Sequence, residues 1–204
     1  MLTATNHLLQ ERYKALLQRL REAERKFGRQ EGSVTLVAVS KTYPAEDVRA
    51  IAEMGQQDFG ENQVQDALRK IPTLRDCGCV WHFIGPIQSN KCKDVAQYFD
   101  WAHSVDRVKI AERLSALRAE KPTPLNILIQ VNLQNESTKA GIFPDQVPEF
   151  AQTVSALPNL RLRGLMAIPA PEPDFQKQRI VFSRLRESLE KTNARLGLRL
   201  DRKS

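Results

Sequence analysis

The stretch VTLVAVSKTYP, Val34 to Pro44, runs from an apolar segment into a single lysine. Residues 34–40 carry β-branched and large aliphatic side chains and no charge, which predicts a strand buried on both faces, as in a parallel sheet. Lys41 ends that strand. Pro44 suits the first turn of a helix, and Glu46 and Asp47 sit in that turn with the sign the helix dipole favours. A lone amine is thereby placed at a carboxyl-terminal strand end, which in α/β folds faces the ligand crevice. There a partly desolvated lysine acts as an amine nucleophile towards a carbonyl. The same pattern equally fits a snorkelling surface lysine.

Outward from this stretch, helical and strand periods alternate. Leu8, Leu9, Leu16, Leu17 and Leu20 predict a helix over about 4–27 with Gly28 as its C-terminal cap. Beyond Lys41, helices are predicted over 44–54, 63–70, 89–98, 107–119, 144–157 and 174–196. Strands are predicted over 57–59, 80–84, 101–104, 126–131 and 160–168. The alternation with short connections argues for right-handed βαβ units and a parallel sheet. No Gly-rich dinucleotide turn follows the first strand, and Lys41, Asn62, His82, His103, Asn132 and Met166 fall at successive predicted strand exits. A barrel is therefore favoured over a doubly wound sheet, because one rim would gather those groups.

Composition narrows the classes. The 204 residues, 41% hydrophobic and 27% charged, suit one globular domain spanning 1–204. Apolar runs stay shorter than the roughly 18 residues of a membrane span, and the polar N-terminus lacks a secretory pattern, so a cytoplasmic protein is expected. Cys77, Cys79 and Cys92 are an odd number with no zinc spacing, so neither a disulfide framework nor a metal site is expected. The net charge of +7 is spread over helix faces among acidic neighbours, which argues against a nucleic-acid partner.

At AVSK (38–41), FGEN (59–62), HFIGPIQSNK (82–91) and RGLM (163–166) the chain resembles the pyridoxal phosphate homeostasis protein family, relatives of the alanine racemase N-terminal barrel. The motifs occur in the family's order and spacing, from about Leu8 to the last residues. The resemblance implies an α/β, TIM-like (β/α)8 barrel that holds pyridoxal 5′-phosphate as a Schiff base on Lys41. It places Asn62 beside the cofactor ring, where an amide can bond the phenolic oxygen, and His82 in the pocket wall. From the residues alone, both also read as buried polar groups that hold a loop or cap a strand. Gln88, Asn90 and Lys91 of QSNK open a helix and also read as capping groups.

Family members continue into a seventh strand with a Ser-x-Gly-x-Ser turn and an eighth with Arg-x-Gly-Thr, which hold the phosphate. Here Arg202 and Lys203 stand where an apolar strand is due, so the last strands and helix, and with them the phosphate cradle, are expected to be missing. The implied function is vitamin B6 homeostasis: a carrier, not an enzyme, with no catalytic residue of its own and with pyridoxal-phosphate-dependent enzymes as partners. The alternatives are an amino-acid racemase or lyase using the same lysine, and a non-functional truncated copy. The folded chain is expected to be monomeric and free of membrane, and unpaired strand edges predict poor solubility or self-association where the barrel stays open.

Overall fold

The computed structural model describes residues 4–134, 140–197 and 200. Helices α1 (Ala4–Lys26), α2 (Ala45–Ala52), α3 (Val64–Lys70), α4 (Cys92–Tyr98), α5 (Val108–Arg118), α6 (Val147–Ser155) and α7 (Phe175–Leu196) alternate with strands. The strands are β1 (Ala38–Val39), β2 (Asp58–Glu61), β3 (Val80–Phe83), β4 (Trp101–Val105), β5 (Leu125–Gln130) and β6 (Leu160–Met166). Every predicted helix and strand is present, β1 much shortened and the others within a few residues at their ends, and the β1–β2, β4–β5 and β5–β6 pairs are parallel. Arg202 and Lys203, which stand where a seventh strand is due, lie outside the described residues. Two compact units divide the chain, Met1–His82 and Phe83–Ser204.

In the first unit the strands follow the chain order β1-β2-β3. The helix α1 ends at Gly28, whose φ of 63° is a left-handed stop that a Cβ would penalise. Glu24 then ties the following loop to the helix, accepting from the backbone N–H of Gly32 at 3.0 Å and of Val34 at 2.7 Å, and pairing with Arg21 at 2.6 Å. Here the expected seven-residue buried strand is corrected. Only Ala38 and Val39 form a ladder, Val39 is 46% exposed, and 34–37 are exposed or half-buried. The physical reason is that β1 pairs with β2 alone among the described residues. The Leu36 carbonyl is satisfied by a side chain instead: Gln56 Nε2 donates to it at 2.7 Å and to Asp58 O at 2.6 Å, while Gln56 Oε1 accepts from Tyr13. An apolar groove of about 290 Å³, lined by Leu9, Leu16, Val37, Val39 and Phe59 among others, lies along this segment.

In the second unit the order is β4-β5-β6. Leu125, Ile127, Leu128 and Ile129 of β5 are buried, as a near-continuous apolar strand covered on both faces should be. Phe83 meets Phe99 edge-on at 5.2 Å. Buried Arg118 closes the C-terminal end of α4, donating to Ala96 O at 2.6 Å and Phe99 O at 2.8 Å, with Nε on Thr123 O at 2.8 Å. After β5 the chain returns through Gly141, whose φ is 118°, and Val131 and Ile142 form an isolated parallel bridge. Asn132 N donates to Ile142 O and Ile142 N to Gln130 O, each at 2.9 Å. Among the described residues no helix is long and apolar enough to cross a membrane, and no cluster of metal-ligating side chains occurs.

Candidate functional site

The site is built on Ser40, the residue between β1 and Lys41. Its N–H donates to Gly60 O at 2.9 Å and its hydroxyl to Glu61 Oε1 at 2.7 Å, so the end of β1 is fastened to the end of β2. Its carbonyl accepts from Tyr43 N–H at 3.1 Å, closing a tight turn over Lys41 and Thr42, and also from Lys70 Nζ at 2.7 Å. Lys70 makes a second 2.7 Å contact, with Glu61 Oε1, and both side chains are buried. Thr42 has a φ of 68°, an uncommon left-handed conformation for a β-branched residue.

Lys41 projects from this turn, exposed, and makes no hydrogen bond or ion pair with the described residues. The partial desolvation expected of it is thus absent. Lys41 and Asn62 follow the ends of the two paired parallel strands, Lys41 after Ser40 and Asn62 directly after Glu61 of β2, so both leave the sheet at its carboxyl-terminal edge. The Asn62 side chain is half-buried and has no hydrogen bond among the described residues, which leaves its amide available to a ligand.

His82 is placed differently from its expected strand exit. It is the third residue of β3, buried, with Nε2 2.8 Å from Asp58 Oδ1. His103 likewise lies inside β4, edge-on to Trp101 with centroids 6.2 Å apart. His82 lies one residue and His103 two residues before the end of its strand. Gln88 makes no side-chain cap on the short 3-10 turn Ser89–Lys91, so capping does not explain that motif. Met166 ends β6 and Asn132 lies just past the end of β5, where it borders a cavity of about 320 Å³ formed with Gln130, Gln134, Ala167 and Pro169.

Sequence reasoning gave no role to Lys70 or Glu61. A signal was present: Val64, Ala67 and Lys70 recur at three-residue spacing and are the buried residues of α3, so the lysine lies on the packed face. Its position beside Arg69 at a helix end disguised it as a solvated charge.

The chain matches the family described as alanine racemase, N-terminal domain, over residues 12–199. It is 52% identical over 180 residues to the pyridoxal phosphate homeostasis protein of Pseudomonas aeruginosa, covering 88% of this chain and 77% of that protein. The protein of the same description from Escherichia coli K12 is 49% identical over 154 residues, 74% of this chain and 66% of the relative. Among solved structures, PipY of Synechococcus elongatus PCC7942, with PLP bound, superposes with a TM-score of 0.78 at 32% identity, covering 89% of this chain and 83% of that one. With the alternating parallel architecture, these matches give the chain the TIM-like α/β fold of the alanine racemase N-terminal domain and make it a member of the pyridoxal phosphate homeostasis protein family.

Proposed function

We propose that this chain binds pyridoxal 5′-phosphate through Lys41 and serves in intracellular vitamin B6 homeostasis as a carrier that turns over no substrate. The observation that supports this reading most directly is the exposed Lys41 amine, unpaired among the described residues, on a turn fastened to β2, the strand that Asn62 and its available amide directly follow. The cofactor supplies an aldehyde carbon, which condenses with a primary amine by forming a C–N bond as the carbonyl oxygen departs as water. The residues present fit that chemistry: Lys41 offers the amine and Asn62 a donor for a ring oxygen. Carriage without turnover is consistent with a single lysine that has no second acid or base fastened to it. Partners of this activity are the enzymes that use the same cofactor.

Borohydride reduction of the protein mixed with pyridoxal phosphate, followed by peptide mass spectrometry, tests the reading. A pyridoxyl adduct on Lys41, lost in Lys41→Ala while the thermal transition stays unchanged, is expected, because an exposed side chain contributes little burial. An adduct spread evenly over surface lysines overturns it. Racemase assays on several amino acids are expected to give no Lys41-dependent turnover.

A further inference from the structure

Ser40 spends every polar group it has within a few ångströms of Lys41. Its N–H and hydroxyl go to Gly60 and Glu61, and its carbonyl takes two donors, Tyr43 N–H and the Lys70 ammonium. The carbonyl of Ser40 and the N–H of Lys41 share one planar peptide unit, so whatever fixes the former orients the latter. A buried ion pair is a poor source of stability, since an apolar pair of similar volume serves as well. Among the described residues, however, Lys70, paired with Glu61, is the only group of α3 that holds that carbonyl. Glu61 Oε2 has no hydrogen bond among the described residues, so the carboxylate is engaged solely through the oxygen that meets Ser40 and Lys70. Thr42, left-handed and β-branched, holds its conformation only where its surroundings over-determine it.

We propose that Lys70 and Glu61 form a buried clamp on the Ser40–Lys41 peptide that aims the Lys41 amine at the cofactor's aldehyde, making both of them positioning residues. The inference rests on the binding reading above. It separates two properties of the site: affinity for the cofactor body, which the clamp leaves alone, and the rate at which Lys41 bonds to it, which the clamp controls.

The experiment compares wild type, Lys70→Met and Glu61→Gln with two ligands. Pyridoxal phosphate reports the rate of adduct formation on Lys41. Pyridoxine 5′-phosphate, an alcohol that cannot condense, reports binding alone. Lys70→Met is expected to slow adduct formation about tenfold, as a misaimed nucleophile does, with the affinity for pyridoxine phosphate near the wild-type value. Glu61→Gln, whose amide oxygen still accepts from Ser40 and Lys70, is expected to retain most of the rate. Should Lys70→Met lose its cooperative melt, Ser40→Ala, which removes only the hydroxyl bonds to Glu61 and to Gly60 O, replaces it and is expected to slow the adduct in the same sense. An unchanged adduct rate in the folded variant, or an equal loss with both ligands, overturns the clamp while leaving the binding reading intact. Failure of wild type to form the Lys41 adduct overturns the binding reading, and the clamp with it.

Discussion

Asn62 and Lys70 show how differently two polar residues of one site depend on their surroundings. Asn62 has no hydrogen bond among the described residues, so Asn62→Ala removes nothing from the folded protein and a donor only from the ligand. Its melting temperature is expected to match wild type, and the dissociation constant for pyridoxal phosphate to rise about tenfold, the worth of roughly one hydrogen bond. Parallel calorimetric titration and thermal melts check this, and a fall in stability equal to the loss of affinity would make Asn62 structural. The place of Lys41 just past a strand was legible in the sequence, because an apolar run stopping at one amine is a pattern that needs no tertiary information. Lys70 was not, because charge conceals burial: its partner Glu61 lies nine residues back, and only the fold brings the two within 2.7 Å. His82 was legible as a buried residue between aromatic neighbours, whereas its tie to Asp58, twenty-four residues away, was not.

Helices follow from their own sequences more faithfully than strands do. The helices α1 and α7 carry their periods and their stops, Gly28 and Gly197, within themselves. The strand β1 depends on what lies beside it, and with β2 as its one partner among the described residues it shrinks to two residues while Gln56 bonds the Leu36 carbonyl. Ends of elements are where single substitutions act most strongly. Arg118→Met leaves the Ala96 and Phe99 carbonyls buried without a donor, and burial already lowers the guanidinium's affinity for its proton, so this contact is one of accommodated polarity. A loss of about 2–6 kcal/mol in denaturant unfolding is expected, from two orphaned acceptors at roughly 1–3 kcal/mol each. Gly141 is constrained twice, by a φ of 118° and by space, since an added Cβ falls 2.9 Å from Asn132 N and 3.0 Å from the Val131 carbonyl carbon. Gly141→Ala is therefore expected to break the bridge after β5, read as loss of amide protection at Asn132 and Ile142 in hydrogen exchange, with core strand amides unaffected.

Stability of the whole chain in acid depends on carboxylates that the fold keeps ionised. Burial pushes the Glu24 carboxyl up, yet the Arg21 bond and the backbone N–H groups of Gly32 and Val34 outweigh it and hold the group down at about 2, from an ordinary value of 4.5. The exposed Asp76 is lowered in the same direction, first by its bond to Arg49. A depressed acid contributes its stability above the unfolded value and loses it as pH falls through the folded one. The melting temperature is thus expected to be level above about pH 5 and to drop between about 4.5 and 2. A second contribution runs in parallel, because protonating the 24 carboxylates leaves 31 lysines and arginines unopposed, and their mutual repulsion disfavours the compact state. Salt separates the two, since repulsion between exposed charges is screened within about 10 Å at 0.1 M, whereas the Glu24 bonds are partly buried and are screened much less. Melts of wild type and Glu24→Gln across pH 2–7, at low and at high salt, make the test. In high salt the wild-type drop is expected to persist and the variant's to flatten, with the variant already a few degrees less stable at neutral pH. A drop of equal size in both proteins would place the acid sensitivity in the surface charge and not in the loop that Glu24 holds.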